Sequence, residues 1–271
     1  MSDYKWYDSI DMKIFDCFLF FNELEILDLR LMTLADIVDY FVIVEANKTH
    51  TGNEKEFLFE KNQNLFKKYL DKIIYVKIED VPLLDNSKNI GAIENFQRNC
   101  ITRGLSGAKD DDRIIISDLD EIPNPDKIMQ VKENSEPVTF NQYLFYYYVN
   151  CLSSRNWDGP IIAPYKNMPS PQKLRRLARR GYNSIKNGGW HYSYMGGVEK
   201  IRSKLNNLYD AFTRINLVGT DEDILKKMNS QKDLWDENCE HKLVNIGENG
   251  YAPKCIKEFI EKYPDYYFKQ N

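Results

Sequence analysis

Cysteine is scarce in this sequence, and its thiols are widely separated. The chain of 271 residues contains five cysteines, an odd number, and no C-x-x-C pair. This spacing argues against both a disulfide framework and a cysteine-based zinc cluster, and it favours free, buried thiols. Glycine and proline are also few, with 23 residues between them, and no tract is of low complexity. The chain is therefore expected to fold rather than to remain disordered.

Long apolar runs are missing as well. The longest stretch without a charged residue, 137–154, is interrupted by asparagine, glutamine and several tyrosines. Such a stretch cannot span a bilayer. Residues 1–6 also lack the basic start and the apolar centre of a secretory signal. We therefore predict a cytoplasmic protein without a membrane span.

Acidic residues are absent from one segment of the chain. The formal net charge of −4 disfavours a nucleic-acid partner, yet no aspartate or glutamate occurs between Gly159 and Val198. The same segment carries the basic residues Lys166, Lys173, Arg175, Arg176, Arg179, Arg180 and Lys186. The basic stretch 173–186 is compatible with an exposed helix face, with peripheral contact to an anionic membrane, or with binding of a phosphorylated ligand.

The chain does contain a regular alternation of strands and helices. Apolar runs at 13–21, 40–44, 73–76 and 113–117 have the composition of buried strands, and helical stripes separate them. Asn22 is predicted to cap the first helix. Aromatic strands are expected around 138–152, followed by a loop region as far as Gly197. This pattern predicts a single α/β domain with a mostly parallel central sheet, flanking helices, and ligands at the carboxyl ends of the strands.

The most informative motif follows the fourth predicted strand. Asp118 and Asp120 come directly after the apolar run 114–117 and are separated by one residue, so both carboxylates should face the same side. Hard oxygen ligands in this position suit Mg²⁺ or Mn²⁺, which usually completes its shell with phosphate oxygens and water. The motif therefore indicates a divalent cation and a phosphorylated substrate. A solvated acidic turn is the simpler alternative.

Several long segments, in order along residues 13–208, resemble those of one enzyme family. They are FDCFLFFNELEILDLRL, VDYFVIVEANKTHTG, ENFQRNCITRGL, DDRIIISDLDEIP and GGWHYSYMGGVEKIRSKL. In them the chain resembles glycosyltransferase family 17, the β-1,4-mannosyl-glycoprotein β-1,4-N-acetylglucosaminyltransferase family. The resemblance implies a GT-A type, Rossmann-like fold, Mn²⁺ or Mg²⁺ at the D-x-D motif, a glycan acceptor, and inversion at the anomeric carbon. It also implies a UDP-sugar donor, most simply UDP-N-acetylglucosamine (UDP-GlcNAc).

The pattern of elements along the chain divides the predicted single domain 1–271 into parts. The nucleotide-binding half is expected at about 12–123, the acceptor-side half at about 124–215, and peripheral helices at 216–271. Asn22 and Glu45 lie at the ends of the first two strands, where a nucleotide binds in this fold. Arg98, on a later helix, is predicted to face the same nucleotide pocket as Asn22 and Glu45, and Asp118 is predicted to bind the donor as well. Ordinary capping or surface ion pairing is the alternative for Asn22, Glu45 and Arg98.

A diphosphate and its metal require further positive charge and further ligands. The basic residues predicted to meet the diphosphate are Arg176, Arg179 and Arg180. His191 lies in the glycine-rich GGWHY turn and is predicted to join Asp118 and Asp120 as a metal ligand. A structural, hydrogen-bonded histidine is the alternative role for His191.

Inverting transfer also requires a base that accepts the proton of the acceptor hydroxyl. Glu199 is the first acid after Asp158, and it follows Gly196-Gly197 at a predicted helix start. We predict Glu199 as the base, with Asp158 as the second candidate. The alternative is that the carboxylate of Glu199 only complements the helix dipole.

Two other functions are compatible with parts of this pattern. Phosphohydrolases of the haloacid dehalogenase type also place D-x-D after an apolar strand, but usually at the start of the chain, whereas three strands precede it here. A glycan-binding module that has lost turnover would keep the aromatic pocket. Release of UDP from a UDP-sugar distinguishes the transferase from both.

Overall fold

The structure is a computed structural model that describes residues 12–82, 91–132, 135–207, 215–235 and 238–269. Residues 1–6, on which the predicted absence of a secretory signal rests, lie outside these ranges, as does Leu208, where the family resemblance ends. Within the described ranges no helix has both the length and the apolar character needed to cross a membrane.

The first half of the chain forms the parallel part of a sheet. Its elements are β1 (Ile14–Leu19), α1 (Leu24–Leu34), β2 (Tyr40–Ala46), α2 (Leu58–Asn62), β3 (Ile73–Ile78), α3 (Ala92–Asn99) and β4 (Arg113–Asp118), with 3₁₀ turns at Gln63–Lys72 and Cys100–Leu105. The strands lie in the order β3-β2-β1-β4, and each neighbouring pair is parallel. This arrangement confirms the predicted α/β fold, which is consistent with the GT-A type.

The second half extends the same sheet with mixed strand directions. Its elements are β5 (Glu121–Pro123), α4 (Pro125–Ile128), β6 (Val138–Tyr146), β7 (Cys151–Pro164), α5 (Pro171–Ala178), β8 (Ser184–Ile185), β9 (Gly189–Ser193), α6 (Gly197–Asn207), α7 (Asp221–Asn229), β10 (His241–Leu243) and α8 (Ile256–Lys262). The sheet continues in the order β4-β7-β6-β9-β5. The pairs β4–β7, β6–β7 and β5–β9 are antiparallel, whereas β6–β9 is parallel.

The sheet is buried on both faces, which explains the continuous apolar runs of its parallel strands. Phe41 and Ile43 of β2 pack with α1 on one face. Val42 and Val44, the alternate residues of the same strand, pack with the 3₁₀ turn after α3 and with α5 on the other. The helices thus form layers on both sides of the sheet and leave its carboxyl edge for a binding site.

Two local predictions are wrong. The region predicted as loop to Gly197 contains β7, β8, β9 and α5. Polar, exposed residues in the middle of β7, at 154–156, hid its strand pattern. Asn22 does not cap α1: the residue before the helix is Glu23, without a side-chain cap, and the Asn22 amide donates to Ser203 Oγ at 3.3 Å.

Candidate active site

A cleft opens at the carboxyl ends of β1, β2 and β4. Because Leu19 in β1 pairs with both Val44 in β2 and Asp118 in β4, the three strands end at the same level. The cleft is lined by the segments that follow these strands, by α3, and on its other side by β9 and α6. The D-x-D motif lies between these two sides.

Asp118, the last residue of β4, pairs with two arginines. Its Oδ1 accepts from Arg98 Nη2 at 2.8 Å, and its Oδ2 accepts from Arg175 Nη2 at 2.7 Å. Burial raises the pKa of Asp118, but the charges of Arg175 and Arg98 outweigh it, so the pKa lies well below its ordinary value. The side chain is still 39% exposed. Asp118 is therefore an ionised carboxylate that remains accessible from the cleft.

Asp120 is more deeply placed and belongs to a different ion pair. Its Oδ2 accepts from Lys204 Nζ at 2.6 Å and lies 3.5 Å from His191 Nε2. Burial raises the pKa of Asp120, but Lys204 and His191 lower the pKa by more than burial raises it. The carboxyl group of Asp120 is therefore also ionised near neutral pH. Pairing of Glu121 with His191 in adjacent strands brings the imidazole to the motif.

Glu121 is the centre of a buried hydrogen-bond network beneath the motif. It is completely buried, and its Oε1 accepts from Arg175 Nη2 and from Trp157 Nε1, both at 2.5 Å. Its Oε2 accepts the backbone N–H of Asp118 at 3.1 Å. Arg175 also donates to the Gly159 carbonyl at 2.7 Å. This network joins α5 and β7 to the D-x-D turn.

Arg30 of α1 holds the same turn from the opposite side. Its Nη1 donates to the backbone oxygens of Asp118, Leu119 and Glu121 at 2.9 to 3.1 Å. Its remaining nitrogens bind both carboxylate oxygens of Asp16 and the hydroxyl of Ser117. Because the side chain has no exposed surface, these contacts satisfy a charge that would otherwise be buried alone. Arg30 is therefore a positioning residue for the D-x-D turn.

The structure brings five of the predicted site residues together. Arg98, Asp118, Asp120, Arg179 and His191 all line the cleft. The Arg179 guanidinium lies over the ring of Trp157, 3.7 Å from its centroid. This contact holds the arginine at the cleft although its backbone lies at the exposed end of α5.

The other residues predicted to bind the donor lie outside the cleft lining. Glu45 is completely buried, and it accepts the backbone N–H groups of Leu58 and Phe59 at the start of α2. Its position thus corresponds to the capping alternative. Arg176 and Arg180 are exposed on the α5 segment away from the cleft.

Neither predicted base lines the cleft. Glu199 is exposed on the first turn of α6, whereas Lys204 and Asn207, later on the same helix, face the cleft. The Asp158 carboxylate accepts from Asn141 Nδ2 at 2.9 Å, away from the cleft. The first turn of α6 therefore directs Glu199 to solvent, outside the lining of the cleft.

The donor set of the cleft suits a hard divalent cation. Asp118 and Asp120 supply ionised oxygens, and His191 Nδ1 is buried without a hydrogen-bond partner among the described residues. The three side chains do not form a closed cluster, since their ligand atoms do not all lie within 4.8 Å of one another. Asp118, Asp120 and His191 are the residues that could hold Mn²⁺ or Mg²⁺, and the His191 imidazole already lies 3.5 Å from Asp120 Oδ2.

Comparisons with known proteins agree with the resemblance. The family model of glycosyltransferase family 17 matches residues 2–241. The human and rat proteins named beta-1,4-mannosyl-glycoprotein 4-beta-N-acetylglucosaminyltransferase are each 30% identical to the chain over 118 residues, which are 41% of this chain. The match spans 22% of the length of each relative. Because the family model covers most of the chain, the haloacid dehalogenase alternative is set aside, and the chain belongs to glycosyltransferase family 17.

Proposed function

We propose that this chain transfers N-acetylglucosamine from UDP-GlcNAc to a hydroxyl group of a glycan, with inversion at the anomeric carbon. The observation that carries this proposal is the position of Asp118 and Asp120, both ionised, among cationic side chains at the carboxyl ends of parallel strands. Ligands of open α/β sheets bind at such an edge. The named activity of the human and rat relatives supplies the sugar.

We assign the uridine of the donor to the part of the cleft that is formed by the segments after β1 and β2. Phe20, Ala46 and Thr49 line this part, and His50 lies beside them. Burial lowers the pKa of His50, although Glu94 opposes this effect, so its imidazole is neutral near pH 7 and can both donate and accept hydrogen bonds. These groups offer an apolar surface and polar contacts to a pyrimidine base.

The diphosphate is placed beside the D-x-D motif because the positive charge of the cleft lies there. The cations that line the cleft are Lys48, Lys55, Arg98, Arg179 and Lys204. Two ionised aspartates would repel a diphosphate, and a divalent cation held by them would supply the compensating charge and would stabilise the UDP leaving group. Arg98, Arg179 and Lys204 hold and orient the phosphate oxygens.

Replacing Arg179 with glutamine is expected to weaken UDP binding about tenfold, because a charged donor at the cleft is lost. Arg176→Gln and Arg180→Gln are matched controls from the same basic stretch, and we expect them to bind UDP as the unaltered protein does. Isothermal titration calorimetry in the presence of Mn²⁺ measures all three. An equal loss in the three variants would show that only the overall charge of the stretch matters.

The proposed base is an acid that lines the cleft. The acids of the lining are Glu23, Glu94, Asp118 and Asp120. Asp118 and Asp120 belong to the motif, and Glu94 accepts a hydrogen bond from Arg98 at 2.7 Å. Glu23 forms an ion pair with Lys204 Nζ at 3.8 Å, and its Oε2 accepts the backbone N–H of Asn22 at 3.2 Å. Because it is the cleft carboxylate that neither belongs to the motif nor binds an arginine, we assign to Glu23 the role of accepting the proton of an acceptor hydroxyl.

Glu23→Gln is expected to lower sugar transfer about 10²- to 10⁴-fold, the usual contribution of a positioned base, with UDP affinity retained. Glu199→Gln and Asp158→Asn are expected to transfer within a few-fold of the unaltered protein, since neither carboxylate reaches the cleft. Transfer rates and UDP affinities of the three variants test this assignment. Lost transfer with retained UDP affinity in Glu199→Gln alone would return the role of base to Glu199.

The proposed activity is tested with a panel of nucleotide sugars, glycan acceptors, and Mn²⁺ or Mg²⁺. We expect metal-dependent UDP release that is fastest with UDP-GlcNAc and that requires an acceptor. A mass increase of the acceptor by one N-acetylhexosamine identifies the product, and the anomeric configuration of the new bond identifies inversion. Binding of glycan without UDP release from any donor would instead indicate a non-catalytic glycan-binding module.

A further inference from the structure

A second group of possible metal ligands lies away from the cleft, where β10 pairs with β7. Asp233, Cys239 and His241 each present one ligand atom, and these atoms all lie within 4.8 Å of one another. Within the described ranges this is the one group of three histidine, cysteine or acidic side chains that packs so closely. None of its members lines the cleft.

His241 is the member that points to a missing ligand. Its side chain has no exposed surface, yet neither Nδ1 nor Nε2 has a hydrogen-bond partner among the described residues. Nε2 lies 3.6 Å from Asp233 Oδ2, too far for a hydrogen bond. The ring packs against Tyr146 at 4.6 Å between centroids, which fixes its orientation. A buried imidazole without partners is unfavourable, and coordination of an ion by Nε2 would satisfy one of its two nitrogens.

The backbone holds the three ligands in place independently of any ion. His241 pairs with Ser153 in the β7–β10 ladder. Lys232 precedes Asp233, and Glu240 follows Cys239. An antiparallel bridge between Lys232 and Glu240 therefore brings Asp233 and Cys239 close together. Cys239 Sγ is 3.0 Å from Ser153 Oγ, a hydroxyl that can orient a thiolate ligand. The group is therefore a preformed set of ligands and not a chance contact of mobile side chains.

We propose that Asp233, Cys239 and His241 bind a zinc ion that fastens the segment after α7, which carries Asp233, to the segment around β10, which carries Cys239 and His241. Neighbouring ligand atoms of a tetrahedral zinc ion are about 3.3 to 3.6 Å apart, as follows from its bond lengths. The observed distance of 3.6 Å between Asp233 Oδ2 and His241 Nε2 agrees with this value. Three protein ligands leave the fourth position of the ion to water.

The chemistry of the ligands separates this site from the cleft. A thiolate with an imidazole selects Zn²⁺, whereas the carboxylates of Asp118 and Asp120 suit Mg²⁺ or Mn²⁺. The zinc site therefore does not depend on the proposed sugar transfer, and its failure would leave that proposal untouched. The proposed ion would join two segments of the fold at a distance from the reacting groups of the cleft.

Zinc content of the full-length protein tests the proposal. The protein is incubated with Zn²⁺, passed over a desalting column and analysed by inductively coupled plasma mass spectrometry. We expect about one zinc ion per chain, and almost complete loss in Cys239→Ala and in His241→Phe, which keeps a ring against Tyr146. Cys255→Ala and Asp120→Asn are the controls, and both should retain the ion.

Substitution of Co²⁺ into the unaltered protein provides a test that needs no variant. A thiolate-to-cobalt charge-transfer band, removed by excess Zn²⁺, is expected if Cys239 is a ligand. Absence of this band would overturn the proposal. So would full zinc retention in Cys239→Ala, or loss of the ion in Asp120→Asn alone, since the latter would place the metal in the cleft.

Discussion

Exchange of Asp120 for asparagine is expected to lower sugar transfer about 10³-fold or more. Asparagine keeps the size of the side chain but lacks the negative charge that the D-x-D site requires for a divalent cation. The exchange also removes the carboxylate to which Lys204 donates at 2.6 Å. Glu23, 3.8 Å from the same ammonium group, is then its nearest acidic neighbour. We therefore expect a lower midpoint of thermal unfolding with cooperative unfolding retained.

Asp126→Asn is a matched control for this experiment. Asp126 is an exposed aspartate in the first turn of α4, outside the cleft, and its exchange removes the same charge. Transfer rate, UDP affinity in Mn²⁺ and the unfolding midpoint are measured for both variants. Transfer by Asp120→Asn at the rate of Asp126→Asn would contradict the assignment of the D-x-D motif.

Exchange of Arg30 for methionine is expected to lower the free energy of unfolding by about 3 to 5 kcal/mol, because Asp16 would remain buried without its partner. Exchange for lysine keeps the charge beside Asp16 but cannot reproduce the planar set of donors. The three carbonyl groups of the D-x-D turn then lose their common donor. We expect Arg30→Lys to fold and to transfer sugar about 10²-fold more slowly, as a small displacement of reacting groups does elsewhere.

Urea denaturation and transfer kinetics separate the two roles of Arg30. The kinetics of Arg30→Lys are measured well below its unfolding midpoint, so that a fall in kcat reports the position of the turn and not unfolded protein. Arg103→Lys is the control. Arg103 forms an exposed ion pair with Asp80, so this exchange should change neither the free energy of unfolding nor kcat measurably. Unaltered kcat in folded Arg30→Lys would show that Arg30 only stabilises the fold.

Features that depend on residues adjacent in the chain could be predicted from the sequence. The strands β1, β2 and β4 are short apolar runs between polar segments, and parallel order follows from the helices between them. Asp118 and Asp120 follow β4 directly, so the position of the motif at the sheet edge could be predicted once the strand was identified. Arg98 lines the cleft from α3, a helix that the sequence predicts, whereas His191 lines it from strand β9 and not from the predicted glycine-rich turn.

Two buried arginines, Arg30 and Arg175, do not belong to the site that the sequence predicts. Pro171, Leu174 and Ala178 have the spacing of a buried helix stripe, and Arg175 lies within that stripe. Arg175 contacts Asp118, whereas the next residue, Arg176, is exposed. Arg30 occupies the corresponding position in the stripe of Leu27, Leu31 and Leu34. A basic residue within an apolar stripe is therefore a signal for a buried ion pair that sequence reasoning could use.

The direction of single side chains could not be predicted, because it depends on strand register and helix orientation. Trp157 and Asp158 are neighbours in β7, so their side chains leave opposite faces of the sheet, and only Trp157 lines the cleft. The orientation of α6 likewise directs Lys204 to Asp120 and leaves Glu199 in solvent. Contacts between segments that are distant in the sequence determine these side-chain directions.

A crystal structure of the protein with UDP and Mn²⁺, with anomalous data for manganese, tests the central claim most directly. We predict an anomalous peak at coordination distance from a carboxylate oxygen of Asp118 or Asp120. We also predict the diphosphate beside this peak, in contact with Arg98, Arg179 or Lys204, and the uridine between the segments that follow β1 and β2. UDP bound outside this cleft, or manganese without contact to either aspartate, would contradict the claim.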